Sequence, residues 1–279
     1  MLVIRTEAVG VGVGLVRTLR DTPLEDAGGE IVGRVEEVAE GVAGFKPGDR
    51  VGGVVFKGAY AERVIGMPGL VEHVPEGIEA GAAVAVVRGG LVALGALRAG
   101  EIRAGQSVLV TAAASGVGHL AVQLARALGA ARIVAAVGSG DKAGFVRECG
   151  ADECVTYDEA GWGEQVDLVL DGVGGELVQR GVDALAPFGR LVAFSAGGGE
   201  VDTARLLGDG RSVTGFAVGT WHRRRPGVVD GWRRELWDLV AERRIVPRYA
   251  EFPLAELDRA LGLVAGRGNL GRVVVRTGA

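Results

Sequence analysis

The chain has 279 residues, is 48% hydrophobic and 24% charged, and carries a formal net charge of −4, which is typical of a globular protein of one large or two smaller domains. The mixed, slightly acidic charge offers no basic surface for nucleic acid. Two cysteines exclude a disulfide framework or a zinc-type spacing, and the absence of an export signal or a long apolar run predicts a cytoplasmic protein without a membrane partner.

The first part of the chain contains short runs in which apolar and polar residues alternate, separated by turn signals such as Gly-Phe-Lys-Pro-Gly-Asp-Arg at 44–50. Short alternating runs divided by Gly and Pro predict a compact antiparallel β region or partial barrel. The predicted strands cover residues 2–9, 30–38, 51–56 and 59–65. Residues 77–100 then carry apolar stripes at helical spacing and predict a helix.

From residue 106 the pattern changes to alternating strands and helices. Continuous apolar strands joined by helices of about ten residues predict a doubly wound parallel sheet of the Rossmann type. Strands are predicted at 107–111, 132–137, 152–156, 166–170, 189–195 and 212–218, and helices near 117–128, 141–149 and 175–185. Asp141 is a plausible N-cap of the second helix, and Gly150 a plausible residue after its end.

The remaining part of the chain contains two predicted helices and a strand. One face of the first helix carries Val229, Trp232, Leu236 and Val240. The second helix covers 254–264, and the closing strand covers 271–276. We expect this part to return to the first domain.

The stretch V-L-V-T-A-A-A-S-G-V-G-H-L-A-V-Q-L-A-R-A-L-G, residues 108–129, organises the second pattern. It indicates a strand, a tight turn through Gly116 and Gly118, and a helix. The first amide groups of such a helix lack intrahelical partners and lie at the positive end of its dipole, so they suit a phosphate. This context favours a dinucleotide site over simple packing of the two glycines.

The end of the second strand of this region indicates which dinucleotide binds. An NAD enzyme usually carries Asp or Glu there, which would repel a 2′-phosphate. Here Gly138 and Ser139 occupy the position and Lys142 follows. A small residue, a hydroxyl and a cation favour NADP(H), although Lys142 could simply be an exposed residue in a helix.

Several blocks, in this order, resemble the NADPH:quinone oxidoreductase branch of the medium-chain dehydrogenase/reductase superfamily, the zeta-crystallin-like proteins. They are V-E-E-V-A-E-G-V-A-G-F-K-P-G-D-R-V, G-A-Y-A-E, the stretch at 108–129, V-D-L-V-L-D-G-V-G-G and L-A-P-F-G-R-L-V. The resemblance implies an α/β protein, usually a homodimer, with a GroES-like catalytic domain around a Rossmann domain. The GroES-like domain would comprise 1–98 and 220–279, and the Rossmann domain 99–219.

The resemblance also implies cofactor contacts at matching positions. The phosphate turn would be Ser115, Gly116, Val117 and Gly118, and the 2′-phosphate group Ser139, Lys142 and Tyr157. Segments that usually run along the nicotinamide ribose match Phe194, Ser195, Phe216 and Val218, and the closing block matches at Asn269. Tyr157 could equally be a packed aromatic residue.

Departures from the family pattern concern the substrate side. Zinc-dependent members have Cys and His where this chain has Gly12 and Gly29, so we expect no metal. The quinone reductase branch has Asn at the position of Gly12 and Thr at that of Val92. Arg88 is another departure from the family pattern, and it could bind an anionic substrate or reach solvent. Relatives also carry further N-terminal residues, so we expect the β region to lack its first strands.

The expected activity is zinc-independent transfer of a hydride from NADPH to a small-molecule acceptor, a quinone or an α,β-unsaturated carbonyl compound. The cofactor performs the hydride chemistry, so the protein needs to position the reactants and exclude water. No side chain stands out as an essential acid, and Trp221 and His222 are candidates for the substrate pocket. Two alternatives remain open. One is a specialised biosynthetic enoyl reductase or reductive cyclase, and the other a non-catalytic NADPH-binding sensor or structural protein.

Overall fold

A computed structural model describes residues 1–194 and 197–278. Contacts divide it into two compact units, Met1–Gly89 with Pro247–Ala279, and Gly90–Val246. The strands, in chain order, are β1 (Leu2–Val11), β2 (Gly29–Val38), β3 (Arg50–Val55), β4 (Arg63–Gly66), β5 (Val71–His73), β6 (Ser107–Thr111), β7 (Arg132–Val137), β8 (Glu153–Thr156), β9 (Val166–Asp171), β10 (Leu185–Ala193), β11 (Ser212–Gly215), β12 (Tyr249–Pro253) and β13 (Arg272–Arg276). The α-helices are α1 (Val13–Thr18), α2 (Ala80–Val84), α3 (Leu91–Ala99), α4 (Gly118–Ala127), α5 (Ala143–Glu148), α6 (Glu176–Asp183), α7 (Ala204–Leu207), α8 (Val218–Arg224), α9 (Pro226–Ala241) and α10 (Leu257–Ala265).

The unit boundaries differ from the domain boundaries expected from the sequence. Residues 90–98 and 220–246 belong to the second unit, whereas the sequence assigned them to the GroES-like domain. The physical reason is packing, because α3 packs on α4 and α9 and also contacts β10.

The first unit is built on one sheet with strand order β12-β13-β1-β2-β3-β5, and β4 also pairs with β1. Neighbours are antiparallel except β12 and β13. Alternate residues of β1, such as Leu2 and Ile4, are fully buried and pack with α10 around one core. The strand predicted at 59–65 begins only at Arg63, because Ala59 and Tyr60 make hydrogen bonds outside the ladder, to Ala27 and Gly10.

The helix predicted at 77–100 contains a π-helical segment, Ala85–Gly90, between α2 and α3. A π segment places an extra residue in a turn and changes the direction of the following side chains. Arg88 lies in this segment. The run Ala80–Ala99 is long and apolar enough to cross a membrane, but 72% of it is buried within the protein, as in a core helix.

The second unit is built on a parallel sheet with strand order β11-β10-β9-β6-β7-β8. The order reverses direction between β6 and β9, so the predicted doubly wound Rossmann sheet is confirmed. Its strands are almost continuously buried, as expected for a parallel sheet covered on both faces. The predicted strand 212–218 ends at Gly215, because Phe216 turns its ring into a buried aromatic cluster.

The predicted helix 141–149 begins later than expected. Residues 140–142 form a 3-10 turn, and the α-helix starts at Ala143, so Asp141 does not cap it. Gly150 follows the helix with φ of +104°, as predicted for a residue after a helix end. The elements missing from the sequence prediction are short ones: α1, β5, α7, α8 and β12.

Candidate functional site

The turn between β6 and α4 has the geometry of a phosphate-binding turn. Ala112 has a φ of +48°, a conformation that non-glycine residues rarely adopt. The backbone N–H of Gly118 donates to the hydroxyl of Ser115 at 3.0 Å. A Cβ on Gly118 would overlap the carbonyl oxygen of Ala112, so only glycine lets the helix start this close to the strand end.

Tyr157 connects this turn to the ends of two other strands. Its hydroxyl accepts a hydrogen bond from the N–H of Ala112 at 2.7 Å. One edge of its ring lies beside Gly138, where a Cβ would stand 3.7 Å away. Tyr157 follows β8, Gly138 follows β7 and Ala112 follows β6, so the carboxyl ends of three parallel strands meet here. Ligands of open parallel sheets bind at this edge.

The residues predicted to hold a 2′-phosphate lie at the same edge. Ser139 is exposed and precedes the 3-10 turn that carries half-buried Lys142. The backbone at Gly138 is exposed and carries no carboxylate that would repel a phosphate. Asp141, the nearest acidic residue in sequence, lies exposed within the turn. These residues fit NADP(H) through a glycine cradle, a hydroxyl and a cation.

The point at which the strand order reverses is stabilised by two fully buried residues that the sequence analysis missed. The hydroxyl of Thr111, at the end of β6, donates to the carboxylate of Asp171, at the end of β9, at 2.9 Å. That carboxylate also accepts the N–H of Gly174 at 2.9 Å. The block D-G-V-G-G was the available signal for this arrangement.

Of the two residues predicted after β10, only Phe194 can be placed. A Cβ on Gly172 would come within 2.8 Å of the ring of Phe194, so this ring lies against the loop after β9. It therefore lies at the carboxyl edge of the sheet. Ser195 lies outside the described residues.

Phe216 has a different position from the one expected. Its ring is 4% exposed and packs on Gly95, Trp221 and Trp232. Its side chain is therefore a core residue, which leaves only its backbone for contact with a ligand.

The other pocket candidates of the second unit lie on helices. Trp221 and His222 are half-buried on α8, which begins at half-buried Val218. The Nδ1 atom of His222 is buried and makes no hydrogen bond to the residues that the structure describes. Val92 is half-buried on α3.

In the first unit, Gly12 lies beside a charged cluster that the sequence analysis did not detect. The guanidinium of Arg272 occupies the space in which a Cβ of Gly10 or Gly12 would stand. Its Nη2 donates to Glu30 at 2.5 Å, and Nη1 of Arg88 donates to the other oxygen of that carboxylate at 2.8 Å. Burial alone would raise the pKa of Glu30, but the two guanidinium groups outweigh it and hold this pKa below its ordinary value of 4.5.

Tyr60 completes this cluster. Its hydroxyl donates to the carbonyl oxygen of Gly10 at 2.8 Å, and a Cβ on Gly29 would stand 3.2 Å from it. Burial, with the charge of Glu30, raises the pKa of the Tyr60 phenol well above its ordinary value of 10.0. The hydroxyl therefore keeps its proton.

Asn269 is half-buried in the turn before β13. Its amide nitrogen donates to the carbonyl oxygen of Gly271 at 2.9 Å, which gives it a local role in that turn. The described residues include no group of three or more His, Cys, Asp or Glu side chains that could hold a metal ion.

Comparisons with known proteins agree with the fold. The family of zinc-binding dehydrogenases matches residues 116–232. The quinone oxidoreductase of Pseudomonas aeruginosa is 34% identical over 264 residues, which cover 89% of this chain and 81% of that protein. The 2-haloacrylate reductase of a Burkholderia species is 30% identical, and the matched part covers 89% of this chain and 80% of that protein. The quinone oxidoreductase of Thermus thermophilus, solved also in complex with NADPH, has a TM-score of 0.81 and 32% identity over 99% of this chain and 91% of that one.

Proposed function

The chain belongs to the quinone oxidoreductase branch of the medium-chain dehydrogenase/reductase superfamily, and from this membership we propose that it reduces a quinone or an α,β-unsaturated carbonyl compound without a metal ion. It is an NADPH-dependent oxidoreductase with a Rossmann sheet and a GroES-like unit, as the sequence analysis predicted. Its cofactor is NADP(H).

The observation that carries the proposal is the side-chain chemistry around Gly12 and Gly29. Zinc is held in proteins by thiolates, imidazoles and carboxylates, usually three or four together. Around these two glycines the structure offers the phenol of Tyr60, the carboxylate of Glu30 and the guanidinium of Arg272. Only Glu30 could act as a ligand, and both its oxygens are paired with arginines. A conjugated acceptor suits such a site, because its own π system takes up the negative charge that hydride addition creates.

When bound, NADPH supplies the hydride, which adds to the β-carbon of an enone or to the ring of a quinone. In the proposed complex the backbone N–H groups of Gly116 and Val117, at the centre of the turn Ser115–Gly118, would bind the pyrophosphate, and Ser139 with Lys142 would hold the 2′-phosphate. The buried pair of Thr111 and Asp171 fixes the sheet edge on which the cofactor lies. Tyr60 is not a proton donor in this mechanism, since it retains its proton in a hydrogen bond to Gly10. The proton that completes the reduction then comes from water or from another weak donor.

The test is the loss of NADPH absorbance with a panel of quinones, enones, 2-enoate acids and 2-enoyl thioesters, together with a separate measurement of NADPH binding. Turnover of a quinone or enone is the expected result. Turnover confined to acyl thioesters would favour the biosynthetic enoyl reductase, an alternative that shares the same cofactor edge. Tight NADPH binding without turnover of any acceptor would favour a sensor or structural protein.

We also propose a homodimer formed in part by the edge of the parallel sheet. The edge strand β11 exposes Val213, and Phe188 and Leu207, which come from the segments before it, are each 85% exposed. An open edge with apolar side chains is a surface that proteins normally cover. Light scattering on the purified protein, with Val213→Lys as the variant, tests this: the variant is expected to shift the mass toward the monomer.

A further inference from the structure

The charged cluster of the first unit permits a narrower statement about the acceptor, which rests on the proposed function. We propose that the preferred acceptor is an α,β-unsaturated carboxylate and that Arg272 binds its carboxylate group. The supporting observations are the charge balance of the cluster, the unfilled hydrogen-bonding positions of Arg272 and the glycine at position 12, which has no side chain to cover the guanidinium.

The two arginines of the cluster carry one positive charge more than its carboxylate neutralises. Among the residues that the structure describes, Glu30 is the single carboxylate that pairs with both Arg88 and Arg272, and the Tyr60 hydroxyl beside it is neutral. The side chain of Arg88 is 53% exposed, so water compensates its charge. The side chain of Arg272 is only 16% exposed, and a buried cation without full compensation is costly. An anion bound at Arg272 would remove this cost.

Arg272 also has donors left over for such an anion. A guanidinium has five N–H donors. Within the described part of the chain, Nη2 is the only side-chain nitrogen of Arg272 with a hydrogen-bond acceptor, which is Glu30. The Nε atom is buried, and none of the described residues accepts its hydrogen bond. A buried donor without an acceptor is unusual in a folded protein, and it leaves the charge of this guanidinium only partly compensated.

Two glycines, one in β1 and one directly after it, lie beside the guanidinium. Arg272 lies against Gly10, which is buried, and Gly12, which is half-exposed. Any side chain at position 12 would meet Nη1, since even a Cβ would stand 2.9 Å from it. A side chain at position 12 would therefore cover or displace this nitrogen, and glycine does neither. Val13, which follows, is 52% exposed and offers an apolar surface for the carbon chain of the acid.

A purely structural role would not require two arginines. Arg88 alone satisfies one oxygen of Glu30 and neutralises its charge, and the backbone of the glutamate lies within β2. The second arginine, Arg272, lies against two glycines, and Glu30 accepts a hydrogen bond from its Nη2 atom. This arrangement is the one expected if Glu30 holds Arg272 in position for another carboxylate.

The experiment compares 2-butenoate with its methyl ester, which has the same double bond and no charge. The wild-type enzyme is expected to reduce the acid with a kcat/KM about tenfold or more above that of the ester, because a charge-assisted pair with a carboxylate distinguishes them. In Arg272→Met this acid-to-ester ratio is expected to fall by about tenfold to a hundredfold, and in Arg272→Lys by less. Arg276→Met, which removes an exposed arginine from the same strand, is the matched control and should keep the wild-type ratio.

A binding measurement covers the case in which the methionine variant fails to fold. Calorimetric titration of the wild-type protein with butyrate, in the presence of NADP⁺, is expected to show saturable binding that butyramide does not show and that Arg272→Lys weakens. The proposal would be overturned if the ester were reduced with the same kcat/KM as the acid and butyrate did not bind. If no acceptor of any class is reduced while butyrate still binds, the proposed function fails and the anion site stands.

Discussion

The hydroxyl of Tyr157 accepts the backbone N–H of Ala112 at 2.7 Å and thereby joins the end of β8 to the turn after β6. These two strands are not neighbours, since β7 lies between them. Ala112 has a positive φ, so the hydrogen bond stabilises a backbone conformation that its side chain disfavours. The shape of the phosphate turn thus depends on a residue 45 positions away in the sequence.

Tyr157→Phe is therefore expected to lower stability and cofactor affinity together. The substitution leaves a backbone N–H without its acceptor, which costs about 1–3 kcal/mol. Urea unfolding measures the stability, and NADPH fluorescence titration measures the affinity. Tyr249→Phe, which removes a hydroxyl paired with Glu79 in the other unit, is the control and should leave the NADPH Kd unchanged. An unaltered NADPH Kd in Tyr157→Phe would show that the turn keeps its shape without this bond.

Gly118→Ala is expected to be among the most damaging single-methyl changes in the second unit. The new Cβ would overlap the backbone oxygen of Ala112, and backbone atoms cannot move aside cheaply. Overpacking of this kind costs about 1–3 kcal/mol, and the displaced helix start would weaken NADPH binding. Gly144→Ala, in α5, meets no heavy atom within 4 Å and should stabilise the protein by about 0.5–1 kcal/mol. Equal unfolding midpoints for the two variants would contradict the close approach at Gly118.

Cofactor preference should change with Lys142 and Gly138. Lys142→Ala is expected to weaken NADPH about tenfold or more and NADH little, because a charge-assisted contact with a phosphate is lost. Arg147→Ala, an exposed change in the same helical segment, is the control. Gly138→Asp should act in the same direction, since a side chain fits there and its carboxylate would repel a 2′-phosphate. Both Kd values come from fluorescence titration, and equal losses for the two nucleotides would remove Lys142 from the phosphate site.

The sequence was sufficient for the parts of this molecule that depend on local pattern. The parallel sheet and the turn at Gly118 follow from apolar runs and small residues at fixed spacing. Most differences lie in side chains whose partners are distant in sequence. Phe216 looked like a strand residue, because nothing nearby shows that its ring packs on Gly95 and Trp232.

The cluster around Arg272 shows the same limit more sharply. Arg272 and Glu30 are 242 positions apart, and each lies in a segment that reads as an ordinary strand. Arg88 was singled out from the sequence, but its partner was not, because an apolar period of 3.6 residues does not reveal the π segment that carries it. In the sequence, glycine at position 12 in place of the family's Asn indicated that a polar contact is lost. The structure instead places a guanidinium in the space that the missing side chain leaves.

The charge of Glu30 gives the last prediction. Because the pKa of Glu30 lies below 4.5 in the folded protein, its ionised form contributes stability above that pH, and this contribution is lost as the pH falls through the folded-state pKa. Glu30→Gln removes the charge and leaves two arginines facing each other. We expect it to cost about 2–3 kcal/mol at pH 7, less than a fully buried pair would, since Arg88 is half-exposed.

The pH dependence separates this charge effect from simple loss of packing. Urea unfolding of the wild type and of Glu30→Gln should differ by a constant amount from pH 7 down to about 5. The difference should narrow below 4.5, because the carboxylate of the unfolded wild-type chain takes up a proton there while the folded one stays ionised down to its lower pKa. Glu251→Gln, which removes a more exposed partner of Arg276, should stay within about 0.5 kcal/mol of the wild type at neutral pH. A difference for Glu30→Gln that persists undiminished into acid would mean that the shape of the glutamate, and not its charge, holds Arg272 in place.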